Sequence, residues 1–330
     1  MEILFVLGIA LLAFANGAND NFKGVATLWG SGTLGYRSAL VLANVTTLLG
    51  ALLAVAIAGA LVKTFSGEGV VGAEILRDPA FAVSIAAGAG SCVFIATIAR
   101  FPVSTTHAIL GALAGAGLFF SGSEAHFAVL VDKGFIPLAV SPLIAIGLTW
   151  LLWRFRSVFM MFPVPRLRTL SAAAAQRFNV QDYAHMASAS VVCLARGVND
   201  TPKIASILLV GGGLADTRYL IFAGIGLFMV LGSLMLSHRV AHVMSHQITG
   251  MTPAEGLGGN LVTAFLLLSA SLFGFGVSTT HVAVGALFGI GVMNARAHKA
   301  KIVEILLAWV LTLPLAFALA WGTAFVIANG

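Results

Sequence analysis

The sequence predicts an all-α polytopic membrane protein: an inverted repeat with broken helices and re-entrant hairpins, drawn from about ten apolar segments. Three observations predict it. The chain of 330 residues is 59% hydrophobic and only 9% charged, with a mean hydropathy of +1.01. Its apolar runs come at membrane-spanning length. Two unrelated motifs recur in the same order in its two halves.

A soluble domain carries about 25% charged residues. At 9% there is too little polar surface to face water all round. This excludes an ordinary cytosolic enzyme, a disordered chain and a nucleic-acid-binding module, despite a net charge of +6 and a pI of about 9.7. Glycine supplies 37 residues, as suits apolar helices packed closely in lipid; Gly111 and Gly115, four apart, read as such packing. Cys92 and Cys193 lie inside apolar runs and read as small buried hydrophobes rather than a disulfide framework. The first run starts Met1-Glu2 with no basic stretch. It continues into Gly17-Ala18-Asn19-Asp20, where a cleavage site would have to sit, so it reads as a permanent membrane helix.

A hydrocarbon core about 30 Å thick takes about 20 apolar residues per crossing helix. Apolar segments run over 2–30, 36–62, 80–100, 102–121, 127–153, 183–211, 218–237, 258–276, 278–294 and 302–328. The polar stretch 154–182 holds Arg154, Arg156, Arg166, Arg168 and Arg177 with Pro163 and Pro165. It divides the chain into repeat 1 (1–153), a basic linker (154–182) and repeat 2 (183–330).

Gly17-Ala-Asn-Asp-Asn-Phe-Lys23 returns as Gly197-Val-Asn-Asp-Thr-Pro-Lys203, displaced by 180 residues. Phe101-Pro-Val-Ser-Thr-Thr-His107 returns as Phe275-Gly-Val-Ser-Thr-Thr-His281, displaced by 174. An internal duplication is the economical source. Each half crosses the membrane an odd number of times, whether the segments around each Ser-Thr-Thr cross or form a hairpin, so the halves are expected to be inverted. With the linker in the cytoplasm, eleven Lys and Arg fall inside: Arg37, Arg100, the five linker arginines, Arg239, Arg296, Lys299 and Lys301. Four fall outside: Lys63, Arg77, Lys133 and Arg218. The positive-inside rule then puts both termini outside, in an integral plasma (inner) membrane protein in contact with lipid.

Charge within the membrane costs about 2.5–3.5 kcal/mol per residue on insertion scales. Asp20, Lys23, Asp200 and Lys203 nevertheless recur at matching places in apolar segments. One reading is two structural ion pairs at i,i+3 spacing; the other is a binding site, since a buried pair costs more than apolar residues of similar size. Pro202 suits the first turn of a new helix, so Asn199-Asp200 is expected at a helix break. Pro102 and Gly276 precede Ser104-Thr105-Thr106 and Ser278-Thr279-Thr280. Each triplet is then the first turn of a half-helix, with free N–H groups and hydroxyls that suit an anion.

His107 and His281 follow these turns, as satisfied helix histidines or as proton carriers. Arg100 and Arg196 are accessory candidates without an equivalent: Asn16 stands in repeat 1 where Arg196 stands in repeat 2, and Gly274 stands where Arg100 does. They either add positive potential or snorkel. His238, His242 and His246 at i,i+4 spacing read as a solvated face rather than a metal site.

On the duplicated Gly-x-Asn-Asp motifs (Gly17-Ala18-Asn19-Asp20 and Gly197-Val198-Asn199-Asp200) and Val-Ser-Thr-Thr-His motifs (103–107 and 277–281), the chain resembles the inorganic phosphate transporter (PiT) family. The resemblance runs over essentially its whole length. It implies symport of inorganic phosphate with a coupling cation, H+ or Na+, and no other cofactor. It places phosphate at Ser104, Thr105, Thr106, Ser278, Thr279 and Thr280, and coupling ions at Asn19, Asp20, Asn199 and Asp200; Lys23 and Lys203, charged residues beside these in the motifs, are added as substrate-binding candidates on this chain's own sequence. Homodimerisation is compatible with the family.

The chain departs from the common pattern, which has Asn three residues after each Asp; here Lys23 and Lys203 stand there. The expectation is that these lysines occupy or neutralise sodium sites, leaving transport proton-coupled or less sodium-dependent. Two alternatives stand beside phosphate symport. A sulfate or other oxyanion permease would use the same hydroxyls; only phosphate, which keeps a proton at neutral pH, donates to Asp20 or Asp200. An intramembrane hydrolase using Ser104 and His107 would not need two inverted copies, and a channel or scaffold would not need matched ionisable pairs.

Overall fold

The computed structural model describes residues 1–57, 59–155, 178–209 and 217–330. Residues 156–177, most of the expected basic linker, lie outside them. Among the described residues, ten long helices follow one another: α1 (Glu2–Asp20), α2 (Tyr36–Ile57), α3 (Pro79–Ile98), α4 (Thr105–Ser121), α5 (Ile136–Arg154), α6 (Val180–Leu209), α7 (Arg218–Leu236), α8 (Pro253–Leu272), α9 (Thr279–Met293) and α10 (Lys299–Asn329). The described residues contain no β-strand, only two isolated bridges.

Among the described residues, eight helical stretches are long and apolar enough to cross a membrane. α9 and α6 are not among them. α9 has 15 residues, about 22 Å at 1.5 Å per residue, and falls short of a bilayer core. α6 has 30 but carries Arg196, Asp200 and Lys203. Every residue from 195 to 207 is buried, so protein rather than lipid surrounds these charges. The same is true of residues 15–28 at and beyond the end of α1. Large apolar side chains such as Leu4, Val41, Leu143, Leu220 and Val310 stay exposed on the outer helices, as an apolar solvent permits.

Packing follows an exchange of the two halves. α1 packs on α7, and its equivalent α6 packs on α2. α3 lies against α1 and α10; its equivalent α8 lies against α6 and α5. α4 packs on α10, and α9 on α5. The motif glycines permit the first of these contacts. A Cβ on Gly17 would sit 1.8 Å from the Met229 carbonyl oxygen, and one on Gly197 would sit 2.4 Å from that of Thr47.

Each half holds a helical hairpin, α3–α4 and α8–α9, punctuated alike. Asp78 caps α3 through the Ala80 N–H with Pro79 in the first turn, and Thr252 caps α8 in a capping box with Glu255, followed by Pro253. Both first arms end in a left-handed residue, Arg100 (φ 66°) and Gly274 (φ 71°). Phe101 N–H then returns to the Ala96 carbonyl and Phe275 N–H to that of Ala270, each at 2.9 Å. Ser104 and Ser278 cap the second arms by accepting the N–H of His107 and His281.

The first motif interrupts its helix: after Asp20 the chain tightens into a 3-10 turn, Asn21–Val25, and resumes as a short helix, Ala26–Gly30. The break expected at Asn199-Asp200 is absent, and α6 runs through with Pro202 inside it. Proline removes one helical N–H there. Lys203 reaches back to Asp200 across the proline, and Arg196 meets Asp200 from the turn before it.

Candidate functional site

The site forms where α1 and α6 meet the two hairpin turns. Asp20, Lys23, Arg196, Asp200 and Lys203 are each at most 3% exposed. Three cations thus face two carboxylates inside the protein. Buried charge is tolerated only when paired and hydrogen-bonded, and the pairing is extensive.

Lys23 Nζ pairs with the Asp20 carboxylate and donates to Asn19 Oδ1 (2.8 Å), the Val103 carbonyl (2.8 Å) and Thr280 Oγ1 (2.6 Å). Lys203 Nζ repeats this in the other half, reaching the Val277 carbonyl (2.7 Å), Thr106 Oγ1 (2.8 Å) and Asp200 Oδ1 (3.5 Å). The hairpins also touch directly. The Thr106 hydroxyl donates to the Val277 carbonyl at 3.2 Å, and the Thr280 hydroxyl to that of Val103 at 2.7 Å. These hairpin contacts have their counterparts under exchange of halves.

The motif asparagines anchor the hairpins. Asn19 Nδ2 donates to Thr97 Oγ1 (2.9 Å) and the Phe101 carbonyl (3.0 Å), while its Oδ1 accepts the Val103 N–H (3.1 Å). Asn199 Nδ2 donates to the Val277 carbonyl (3.3 Å), and its Oδ1 accepts from Ser271 (3.2 Å). The Thr105 hydroxyl donates to Asp20 Oδ2 at 2.9 Å. Its equivalent Thr279 is buried, and its hydroxyl has no hydrogen-bond partner; the matching oxygen, Asp200 Oδ2, faces Arg196 Nε (3.5 Å) and Asn16 Nδ2 (3.3 Å) instead.

The structure therefore brings together Asn19, Asp20, Lys23, Thr105, Thr106, Asn199, Asp200, Lys203, Thr280 and Arg196. Ser104 and Ser278 serve as helix caps. His107 and His281 lie one turn further in, ring centroids 4.7 Å apart; His281 Nδ1 faces the Leu138 carbonyl at 3.0 Å, and its ring lies 3.7 Å from that of Trp309. Nδ1 must donate to that carbonyl, which leaves His281 Nε2 as a buried acceptor without a partner; His107 Nδ1 is likewise buried without one. Arg100 stands apart, exposed at the hairpin end beside a polar cavity of about 610 Å³ that Arg239 and Lys301 also line. His242 and His246 sit with ring centroids 5.3 Å apart, and His246 lies against Trp29 at 4.6 Å. Burial, then the neighbouring His242, holds the His246 pKa below the usual histidine value. Among the described residues no group of three His, Cys, Asp or Glu could hold a metal.

Asn16 is the residue that motif reasoning passed over as a ligand. Its Nδ2 reaches Asp20 Oδ2 (3.1 Å), Thr105 Oγ1 (2.9 Å) and Asp200 Oδ2 (3.3 Å), so it touches the acid of both halves. The signal was its i,i+4 spacing to Asp20, matching that of Arg196 to Asp200.

The model of the phosphate transporter family matches residues 16–320. A probable low-affinity inorganic phosphate transporter of Mycobacterium bovis is 26% identical, over 95% of this chain and 75% of its own. A putative phosphate permease of Pyrococcus furiosus is 24% identical over 96% and 94%, and a chloroplastic inorganic phosphate transporter of Arabidopsis thaliana is 24% identical over 94% and 69%. The solved structure of a sodium-dependent phosphate transporter superposes over the whole of both chains with a TM-score of 0.84 at 22% identity, a likeness of fold. By sequence and fold together, this all-helical membrane protein belongs to the phosphate transporter family, and it is a transporter rather than an enzyme.

Proposed function

We propose that this protein is a secondary active symporter of inorganic phosphate, which binds the anion between its two halves at the hairpin turns and works by alternating access. The observation that carries this reading is the charge of the buried cluster: Lys23, Arg196 and Lys203 against Asp20 and Asp200, all at most 3% exposed. An uncompensated positive charge inside an apolar protein is costly, and a bound anion offsets it. The unpartnered Thr279 hydroxyl supplies a donor for it. The first turns at Thr105-Thr106 and Thr279-Thr280 supply helix N-termini.

In this reading the halves are inverted repeats, 1–153 and 183–330, in a plasma membrane, with the termini outside and residues 154–182 in the cytoplasm. The paired contacts of the two halves support the repeat. The Thr106–Val277 and Thr280–Val103 contacts close the path between the hairpins, and they are the bonds that part when a gate opens. The asymmetric acids favour phosphate over sulfate, because a protonated phosphate oxygen donates to a carboxylate that a sulfate oxygen only repels. The test is uptake of radiolabelled phosphate into proteoliposomes against a gradient, with unlabelled phosphate and sulfate as competitors. Uphill uptake that phosphate suppresses and equimolar sulfate does not is the expected result; equal suppression by sulfate makes the protein a general oxyanion permease, and purely downhill flux makes it a channel.

A further inference from the structure

Arg100, Arg239 and Lys301 come from three separate elements: the end of α3, the short helix His238–His242 after α7, and the first turn of α10. They line one polar cavity of about 610 Å³ together with His238, His242 and Gln247. Glu304 lines it too, but is paired with Lys301. Among the described residues no carboxylate pairs with either arginine. Arg239 Nη1 donates to the Ile98 carbonyl at 3.4 Å, and its Nε has no hydrogen-bond partner. Basic side chains at the ends of membrane helices are ordinary where they snorkel singly to the surface. These converge, and Arg100 does so in the left-handed region (φ 66°), where the other half has Gly274. Backbone strain of that kind gathers at ligand sites. At Gly274 the hairpin end is closed instead by a short helix, Gly59–Phe65, whose Thr64 hydroxyl donates to the Gly274 carbonyl at 2.9 Å.

An apolar groove of about 430 Å³ opens from the same cavity: Ala99, Phe101 and Glu304 line both. It runs between α3 and α10 and is walled by Ile95, Leu307, Leu311 and Leu315, all exposed. From Glu304 to Leu315 it extends along α10 for about 16 Å at 1.5 Å per residue. That is the depth of one leaflet of a hydrocarbon core about 30 Å thick.

We propose that cavity and groove together bind one anionic phospholipid, its headgroup held by Arg100, Arg239 and Lys301 and an acyl chain laid between α3 and α10. A guanidinium fork grips phosphate oxygens in pairs, and basic pockets between membrane helices hold lipid headgroups in this way. A phosphatidylcholine headgroup carries its own cation, which three basic residues repel. A soluble phosphate ester would fill the cavity and leave the groove empty. The site borders the turn of the first hairpin, where the Phe101 carbonyl accepts from Asn19 (3.0 Å) and that of Val103 from Lys23 (2.8 Å). The lipid is thus seated against the segment that builds the buried cluster. The proposal does not depend on which anion is transported.

The test is equilibrium binding of radiolabelled phosphatidylglycerol to the purified full chain in a neutral detergent at fixed ionic strength. Saturable binding is expected, at least about tenfold tighter than that of phosphatidylcholine with the same acyl chains, and weakened about fivefold in Arg239→Gln and in Arg100→Gly. Unlabelled phosphatidylglycerol displaces the label, whereas equal concentrations of glycerol 3-phosphate or inorganic phosphate do not. Equal binding of phosphatidylcholine overturns the proposal by reducing the site to an apolar groove. Displacement by either soluble phosphate overturns it by making the cavity a free-anion site. Unchanged affinity in both variants overturns it by placing the lipid elsewhere. Should Arg239→Gln not fold, Arg100→Gly, which relieves the strained turn, decides alone.

Discussion

Asn16 and Arg196 occupy equivalent positions of the two halves and bond to each other: Arg196 Nη2 donates to Asn16 Oδ1 at 2.5 Å. The likeness of the two motifs thus breaks where they meet. Two arginines there would set two guanidiniums against each other, and two asparagines would leave the cluster without its third cation. One of each gives a single positive group held by its own counterpart.

The first prediction follows from that pair. Arg196→Gln leaves Asn16 Oδ1 without its charged donor and Asp200 with Lys203 as its one paired cation. Breaking a buried charged contact of this kind costs about 3–5 kcal/mol, so the variant should melt well below wild type in detergent. Asn16→Arg should fare worse, because the added guanidinium meets Arg196. Thermal melting of both variants checks the order; wild-type stability in Asn16→Arg would show that the halves do not meet here.

Thr105 and Thr279 separate stability from binding. The Thr105 hydroxyl donates to Asp20, and losing such a charge-assisted bond costs about 1.5–3 kcal/mol. The Thr279 hydroxyl is buried without a partner, so its removal relieves a penalty. Thr105→Val should lower the melting temperature. Thr279→Val should melt at or above wild type and yet raise the KM for phosphate severalfold. Melting curves beside uptake kinetics distinguish this split from a uniform loss.

Arg100 holds a left-handed backbone that costs a non-glycine residue about 1–3 kcal/mol, while Gly274 holds the same turn freely. Arg100→Gly should therefore stabilise the protein by about 1 kcal/mol. The reverse change, Gly274→Arg, should destabilise it, since a Cβ there also meets that of Ala60 at 2.9 Å. Denaturant or thermal midpoints of the two variants, shifted in opposite directions, are the expected result.

Gly17→Ala and Gly197→Ala should prevent assembly, because each Cβ falls within 2.4 Å of a backbone oxygen of the facing helix. Gly224→Ala, in α7 with nothing within 4 Å of the new Cβ, should be neutral or gain about 0.4–1 kcal/mol. Monodisperse yield after detergent extraction compares all three.

Much of this was legible in the sequence, for reasons that differ between residues. Ten apolar runs predicted ten helices because span length is a local property. The starts of α4 and α9 were legible because breaker and hydroxyl are close together in the chain, but that Ser104 and Ser278 stand one residue outside those helices as caps was not. The continuity of α6 was not: Pro202 is a local signal for a break, yet the helix runs through it, with Lys203 paired to Asp200 across the proline. The fourfold shell of Lys23 was half legible. Asn19 and Asp20 are its neighbours in sequence, but Val103 and Thr280 lie 80 and 257 residues away. The strain at Arg100 was written only in the comparison with Gly274.

The central claim is that the buried cluster between the hairpins holds the transported anion, and equilibrium binding of radiolabelled phosphate to the purified protein tests it most directly. The account predicts saturable binding of one phosphate per chain, weakened at least about tenfold in Arg196→Gln and severalfold in the stably folded Thr279→Val. Unchanged affinity in both folded variants would place phosphate elsewhere in the protein and contradict the account.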